Sequence, residues 1–405
     1  MKWILLIIVL GCIDLYAFQS VKTLFKNPII WKMYWLVNIA VICFFLLRLY
    51  TYDSSNVKSS LYFTYAVGLI VISIVPKLLI SVTMLLEDVT RLAMGLFHYF
   101  SNENPASFMP GRRAFASKIA LGLASIPFVS ILYGITKGKY NYQIVKHSLY
   151  FDDLPAAFDG FSITHISDVH SGSFDNADKI AHGMELINEQ QSDMICFTGD
   201  LVNNVAEEMD PWIGHFKSLK APFGKFSILG NHDYGEYVKW NSSEEKEANF
   251  AEIKAVHPKI GFNLLLNEHV SIEKDGEKIE LIGVENWGVR FKKAGDLPKA
   301  SKEVADNAFK IVMSHDPSHW DHEIKAHPSK YHLTLSGHTH GMQFGIDIPG
   351  FKWSPVQYVY KRWAGIYEAA GRYINVNRGF GFLAFPGRVG IWPEISVITL
   401  RKKVG

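Results

Sequence analysis

Five short clusters toward the carboxyl end hold side chains that bind divalent metals and move protons. They are Asp168-x-His170, Gly199-Asp200, Gly230-Asn231-His232-Asp233, His315 and Gly337-His338-Thr339-His340. Singly, each is weak. A D-x-H pair recurs by chance, and a Gly-Asp pair more often makes a turn than a site. Gly230–Asp233 is more pointed, because glycine supports a tight turn and three polar residues after an apolar run seldom serve packing. The histidines of 337–340 fall on one side of an extended segment, a chelating arrangement. All five clusters follow short apolar runs, which speaks for one assembled site. Carboxylate, imidazole and amide-oxygen donors suit Mn, Fe or Zn better than Mg, which prefers an all-oxygen shell with waters. Two such ions about 3.5–4 Å apart would neutralise phosphoryl oxygens and supply hydroxide near neutral pH, the needs of phosphoester hydrolysis.

The elements that must position these residues follow from periodicity. From Phe161 the chain alternates apolar strand, polar loop and amphipathic helix. Strands are expected at 161–166, 193–198, 225–229, 264–266, 270–274, 278–284, 309–313 and 333–335, with helices at 178–190 and 243–256. Asp275-Gly276 predicts a hairpin turn. A layered α/β domain is implied, with its ligands beyond the carboxyl ends of the strands.

In this order the clusters resemble the calcineurin-like metallophosphoesterase family, whose pattern is D-x-H, GD, GNH(D/E), a lone H and GHxH. The resemblance spans about Ala156 to Leu400. It implies an α/β sandwich in which Asp168, His170 and His340 hold one metal, Asn231, His315 and His338 hold the other, and Asp200 bridges them. It also implies that a hydroxide shared by the metals attacks phosphorus. His232 then protonates the leaving group or steadies the phosphate, with Asp233 tuning it. Gly337–Gln343, Ala364-Gly365-Ile366-Tyr367, Asn377–Gly381 and Trp392-Pro393-Glu394-Ile395 are similar to a membrane-anchored bacterial branch. Two departures stand out. The last motif runs Gly341-Met342-Gln343, and Gly199-Asp200 is followed by Leu201–Asn204 without an arginine, against the protein Ser/Thr phosphatases. Arg378 and Arg388 are open either as a phosphate clamp or as surface salt bridges. His165, His182, His215, His319, His322 and His332 match no motif and are expected to be structural or solvated.

The chain has 405 residues, 48% hydrophobic and 20% charged, with a formal net charge of +2. That near-neutral balance gives no electrostatic case for nucleic acid. Cys12, Cys43 and Cys196 make neither a disulfide framework nor a thiolate metal site. The apolar excess lies in the first third, in stretches at about 3–18, 33–47, 61–86 and 119–135, which predict four transmembrane helices within residues 1–136. A linker is expected over 137–155 and the phosphoesterase domain over 156–405. Pro76-Lys77 interrupts the third stretch; it reads either as a kink with a buried lysine or, as expected here, as a helix ending near Val75 with an interfacial helix after it. Loop charges, and Arg112-Arg113 before Phe115 and Lys118, which resembles a twin-arginine export signal, point to an integral protein of a bacterial inner membrane with its catalytic domain outside the cytoplasm. The expected partners are the bilayer and a phosphorylated or lipid-linked substrate. Soluble phosphodiesters, the pyrophosphate of a UDP-diacylglucosamine lipid on the cytoplasmic face, and a non-catalytic metal-stabilised scaffold are the alternatives.

Overall fold

The computed structural model describes residues 2–101 and 110–403. The chain divides into two compact units, Met1–Tyr52 with Tyr65–Ile135 and Asp53–Thr64 with Thr136–Gly405. The first unit is built on four helices, α1 (Lys2–Leu24), α2 (Pro28–Tyr50), α3 (Val57–Ser101) and α4 (Pro110–Thr136). Each is long and apolar enough to cross a membrane. Asn27 caps α2 by accepting the Ile29 N–H, and Pro28 enters at the first turn, where its missing N–H costs nothing.

The expected break near Val75 does not occur. Helix α3 runs unbroken through Pro76 for 45 residues, and Lys77 lies inside the helical unit. Its ammonium pairs with Asp14 of α1 at 2.5 Å, donates to Ser73 Oγ at 2.7 Å and also reaches Asn38 Oδ1 of α2. Neighbouring helices and hydroxyls tolerate a proline in such a helix by satisfying what it frees, and a charge in an apolar setting demands a partner on another helix. Those partners sit on α1 and α2, so no local pattern around Pro76 announces them. The paired arginines also have internal partners. Arg113 pairs with Glu87 at 2.7 Å and with Asp88, and Arg112 donates to Thr90 Oγ1 at 2.8 Å.

In the second unit two six-stranded sheets face each other. The first has the order β1 (Gln143–Phe151), β14 (Glu394–Lys402), β2 (Ser162–Ile166), β3 (Met194–Phe197), β4 (Lys225–Ser227), β5 (Asn263–Leu264). The second runs β12 (Gly365–Ala369), β13 (Arg372–Val376), β9 (Leu333–Ser336), β8 (Lys310–Met313), β7 (Glu277–Gly283), β6 (Glu268–Lys274). Strand alternation sorts side chains between layers. Met194 and Cys196 of β3 join Ile311, Met313, Leu333 and Leu335 in the core between the sheets. Ile195 and Phe197 turn the other way, onto Ile180, Met184 and Ile187 of α5 (Ala177–Glu189) and onto Ile253 and Val256 further along the chain. Both faces of β3, β8 and β9 are buried, which is why they read as continuous apolar runs. Residues 137–155, expected as a linker, contain β1. Its nine residues pair parallel with β14, Gln143 opposite Glu394 through Phe151 opposite Lys402. A half-exposed edge strand of mixed polarity carries little local signal, and its partner lies some 250 residues away in the chain.

Two outcomes follow from buried groups. Lys77→Leu leaves the Asp14 carboxylate buried without its cation and should lower stability by about 3 kcal/mol, read as the unfolding midpoint of the full-length protein in detergent. The double variant with Asp14→Leu should recover most of that loss. In the second unit, the buried His257 ring shares a hydrogen bond with Ser227 Oγ at 2.8 Å and stacks near Phe197. Burial pushes its pKa down to about 3. The unfolded chain therefore binds the extra proton below the ordinary histidine value, and stability falls as pH drops from about 6.5 toward 3. Between pH 7 and 5 this group alone should remove about 2 kcal/mol. His257→Phe should show a correspondingly flatter stability profile across that interval.

Candidate metal centre

The site forms where five loops leave the carboxyl ends of the parallel strands. β2 delivers Asp168 and His170, β3 delivers Asp200, β4 delivers Asn231 to Asp233, β8 delivers His315, and β9 delivers His338 and His340. The backbone at the site is unusual. Asp168, His170, Asp200, His338 and His340 all have positive φ, between 48° and 71°, a region side-chain-bearing residues adopt rarely and mostly where function holds them there. The loops also touch. A Cβ on Gly199 would meet Gly230 N at 2.3 Å, so glycine is what lets the β3 and β4 loops come together.

The seven expected ligands gather into two groups. Asp168 Oδ1 lies 3.2 Å from His340 Nε2, which lies 3.0 Å from His170 Nε2. His315 Nε2 lies 3.3 Å from His338 Nδ1, which lies 2.8 Å from Asn231 Oδ1. Asp200 Oδ2 belongs to both, 3.5 Å from His170 Nε2 and 3.2 Å from His315 Nε2. Donor atoms each ~2.1 Å from one ion stand about 3.0–3.4 Å apart at octahedral or tetrahedral angles. These spacings fit that geometry. Among the described residues, the Asp and His members fall into two sets able to hold an ion, Asp168 with His170 and His340, and Asp200 with His315 and His338.

The electrostatics agree with cation binding. Burial would raise the Asp168 and Asp200 carboxyls, but neighbouring imidazoles hold both below the usual carboxylate range. Burial would lower His315, yet Asp200 and Asp168 raise it to about 10. Two buried carboxylates thus demand positive charge at this place, which a divalent ion supplies more fully than a proton. Burial pushes His170 and His338 down, leaving them neutral as ligands must be. The rings are also aimed. His315 Nδ1–H donates to the Thr198 carbonyl at 2.6 Å, which turns its Nε2 lone pair inward, and the Tyr360 hydroxyl meets His338 Nε2 at 2.8 Å.

His232 and Asp233 stand differently from what the resemblance implied. Asp233 does not touch the His232 ring. Its carboxylate accepts the N–H groups of Gly230, Leu201 and Asp200 at 2.8–2.9 Å, and so ties the β3 and β4 loops together. Burial and the Asp200 charge raise its pKa to about 7. His232 Nδ1–H instead donates to the Asn203 carbonyl at 2.8 Å, while its backbone N–H donates to Asp200 Oδ1 at 2.8 Å. Its Nε2 has no hydrogen-bond partner among the described residues, and the residue is half-buried. The reason is topological: residue 233 turns under the loop, and residue 232 stays on its rim.

Neither arginine clamps an open site. Arg388 is wholly buried and donates to the carbonyls of Gly379 and Gly381 beside His340 Nδ1. Arg378 pairs with Glu394 and Asp347. The Asn377–Gly381 segment acts through its backbone: Phe380 N–H donates to the Ser167 carbonyl and Gly381 N–H to the Asp168 carbonyl. A Cβ at Gly381 would meet the Val169 oxygen at 1.8 Å, which explains the glycine. Of the unassigned histidines, His165 bonds Thr198 Oγ1 and Asn375, His319 bonds Ser314 Oγ and Glu323, and His332 bonds Asp153. Tyr237 and Tyr360 have no motif to mark them. The Tyr237 hydroxyl accepts from Asn231 Nδ2 at 2.8 Å and its ring lies 4.4 Å from that of His232.

The calcineurin-like phosphoesterase family model matches residues 161–342, and a model described as a probable calcineurin-like phosphoesterase transmembrane domain matches residues 1–139. The uncharacterized metallophosphoesterase YkuE of Bacillus subtilis (strain 168) is 31% identical over 263 residues, covering 64% of this chain and 85% of YkuE. This chain belongs to the calcineurin-like metallophosphoesterases. It is similar also to the phosphodiesterase YaeI of Escherichia coli (strain K12), 26% identical over 72% of this chain and all of YaeI. A transmembrane protein with metallophosphoesterase domain from Danio rerio is 23% identical over 68% of this chain and 61% of its own length. This metallophosphoesterase is therefore a hydrolase with a membrane-helix region before a divalent-metal domain.

Since Asp233 holds three buried N–H groups at 2.8–2.9 Å and that of Val202 at 3.4 Å, Asp233→Leu should lower stability by at least about 3 kcal/mol. Asp233→Asn keeps one acceptor oxygen and should fall between that variant and wild type in denaturant midpoint.

Proposed function

We propose that this metallophosphoesterase hydrolyses a phosphoester or phosphoanhydride with two divalent ions held side by side. The observation that carries this is Asp200 Oδ2, placed within 3.5 Å of ligand atoms of both groups. Asp168, His170 and His340 would hold one ion, Asn231, His315 and His338 the other, with Asp200 between them. Mixed nitrogen and oxygen donors suit Mn, Fe or Zn. Two ions so bound neutralise the phosphoryl oxygens and acidify water toward neutral pH. The chain supplies the rest. The Asn203 carbonyl keeps one His232 proton at Nδ1, so Nε2 is the nitrogen that meets substrate; once Nε2 has taken a second proton from solvent, the imidazolium passes that proton to the departing oxygen and returns to the neutral ring. Asp233 acts one step back, fixing the loop that carries Asp200.

The substrate we favour is a lipid or lipid-linked phosphate. Four candidate spans hold the enzyme in a membrane. Close after His340, the hairpin β10 (Ile346–Ile348) and β11 (Phe351–Trp353) leaves Ile346, Ile348, Phe351 and Trp353 exposed, apolar surface of the kind that meets lipid. Trp363, Phe380, Phe382 and Phe385 of the same aromatic-rich region are core. A second reading, soluble phosphodiesters, draws on the similarity to YaeI. The bias of positive charge among the loops, together with Arg112-Arg113 before the fourth span, supports a catalytic domain outside the cytoplasm of a bacterial inner membrane; Arg113 also pairs with Glu87 and Asp88.

With Mn, the full-length protein should hydrolyse bis-p-nitrophenyl phosphate and lose this on chelation. Asp200→Asn should cut kcat/KM at least about 1,000-fold. His232→Asn should lower kcat about 100-fold yet retain two ions per chain; full activity in that variant would remove His232 from the proton step. Ile348→Ser/Phe351→Ser should depress turnover of a lipid phosphoester in mixed micelles severalfold more than turnover of the nitrophenyl diester, and equal losses on both would favour the soluble reading.

A further inference from the structure

Beside the metal centre lies a second concavity of about 470 Å³ with a basic lining. Four cations line it: Arg290, Lys325, Lys361 and Arg362. Asp321 neutralises part of that charge, its two oxygens accepting from Arg362 Nη1 at 2.6 and 2.7 Å and one of them from Lys325 Nζ at 2.6 Å. Arg362 is further fixed over the Trp320 ring at 4.6 Å, so it forms a wall. Arg290 and Lys361 are exposed and have no ion-pair partner among the described residues. Set against the single Asp321 carboxylate, this leaves clear positive charge in a built depression.

The depression and the centre share a wall. Tyr360 lines the cavity, and its hydroxyl bonds His338 Nε2 at 2.8 Å while His338 Nδ1 faces Asn231 and His315. One imidazole ring therefore separates the cavity wall from the donor atoms of the second group. A substrate whose scissile phosphate sat at the centre would present whatever lies a few bonds further along to Arg290 and Lys361. Guanidinium and ammonium groups at such a place select a dianionic oxygen cluster over a neutral or apolar group.

We infer that this pocket is a subsite for a second phosphate of the substrate, distinct from the one hydrolysed. The inference rests on the two-ion reading for the position of the scissile group. Binding tests it without relying on turnover. Adenosine 3′,5′-bisphosphate and adenosine 5′-monophosphate differ by one phosphate, as do dihexanoyl phosphatidylinositol 4-phosphate and dihexanoyl phosphatidylinositol. Each pair is titrated calorimetrically into the Mn-loaded full-length protein and into Arg290→Gln/Lys361→Gln. A preference of at least about tenfold for the extra phosphate in either pair, reduced below about threefold in the variant, supports the subsite, and the pair that shows it names a soluble or a lipid-borne source. No preference in both pairs, or a preference the variant keeps, overturns it. Hydrolysis of bis-p-nitrophenyl phosphate is followed in the same preparation. Its absence would sink the two-ion hydrolase reading, whereas the affinity ratios judge the subsite.

Discussion

Everything at the centre depends on one buried carboxylate. Asp200 is 2% exposed, gives one oxygen to the His232 N–H and offers the other to both groups of imidazoles. An anion in that position is costly unless it is compensated. Nearby groups meet the demand in layers: His315 by charge, the β4 loop by a backbone N–H, and Asp233 by gripping the loop from below. The left-handed backbone at Asp168, His170, Asp200, His338 and His340 is strain of the kind a rigid scaffold must over-determine. Here the scaffold is two sheets packed face to face, with β2, β3 and β4 in one and β8 and β9 in the other, each buried on both faces.

The same physics of a compensated buried charge recurs in the membrane-helix unit. Lys77 meets Asp14, Ser73 and Asn38, and Arg113 meets Glu87 and Asp88. Such polar contacts favour particular helix neighbours where apolar side chains alone would pack in several ways. A four-helix anchor with internal ion pairs is more specified than a plain tether needs to be.

Much of the catalytic unit was legible from local pattern. The helix over 178–190 appears as Ala177–Glu189, the hairpin around Asp275-Gly276 joins β6 to β7, and the strand ends carry the metal-binding types where expected. These features are local: periodicity fixes which face is buried, and turn residues fix where the chain reverses. Strand β1 was not legible, because an edge strand with Lys146, His147 and Ser148 along it looks like a linker until β14 is beside it.

By itself the sequence determined the chemical inventory: which residues could bind metal, in what order along the chain, and that the first third is apolar enough for a membrane. Tertiary structure decided the partnerships. That Asp233 serves the backbone and not the His232 ring, that Arg388 is buried, that Lys77 turns inward and that Tyr360 stands behind His338 are all contacts between residues distant in the chain or on opposite sides of a turn. Residue type and spacing encode what a side chain can do. Only the packed fold sets the distance and burial that decide which of those things it does.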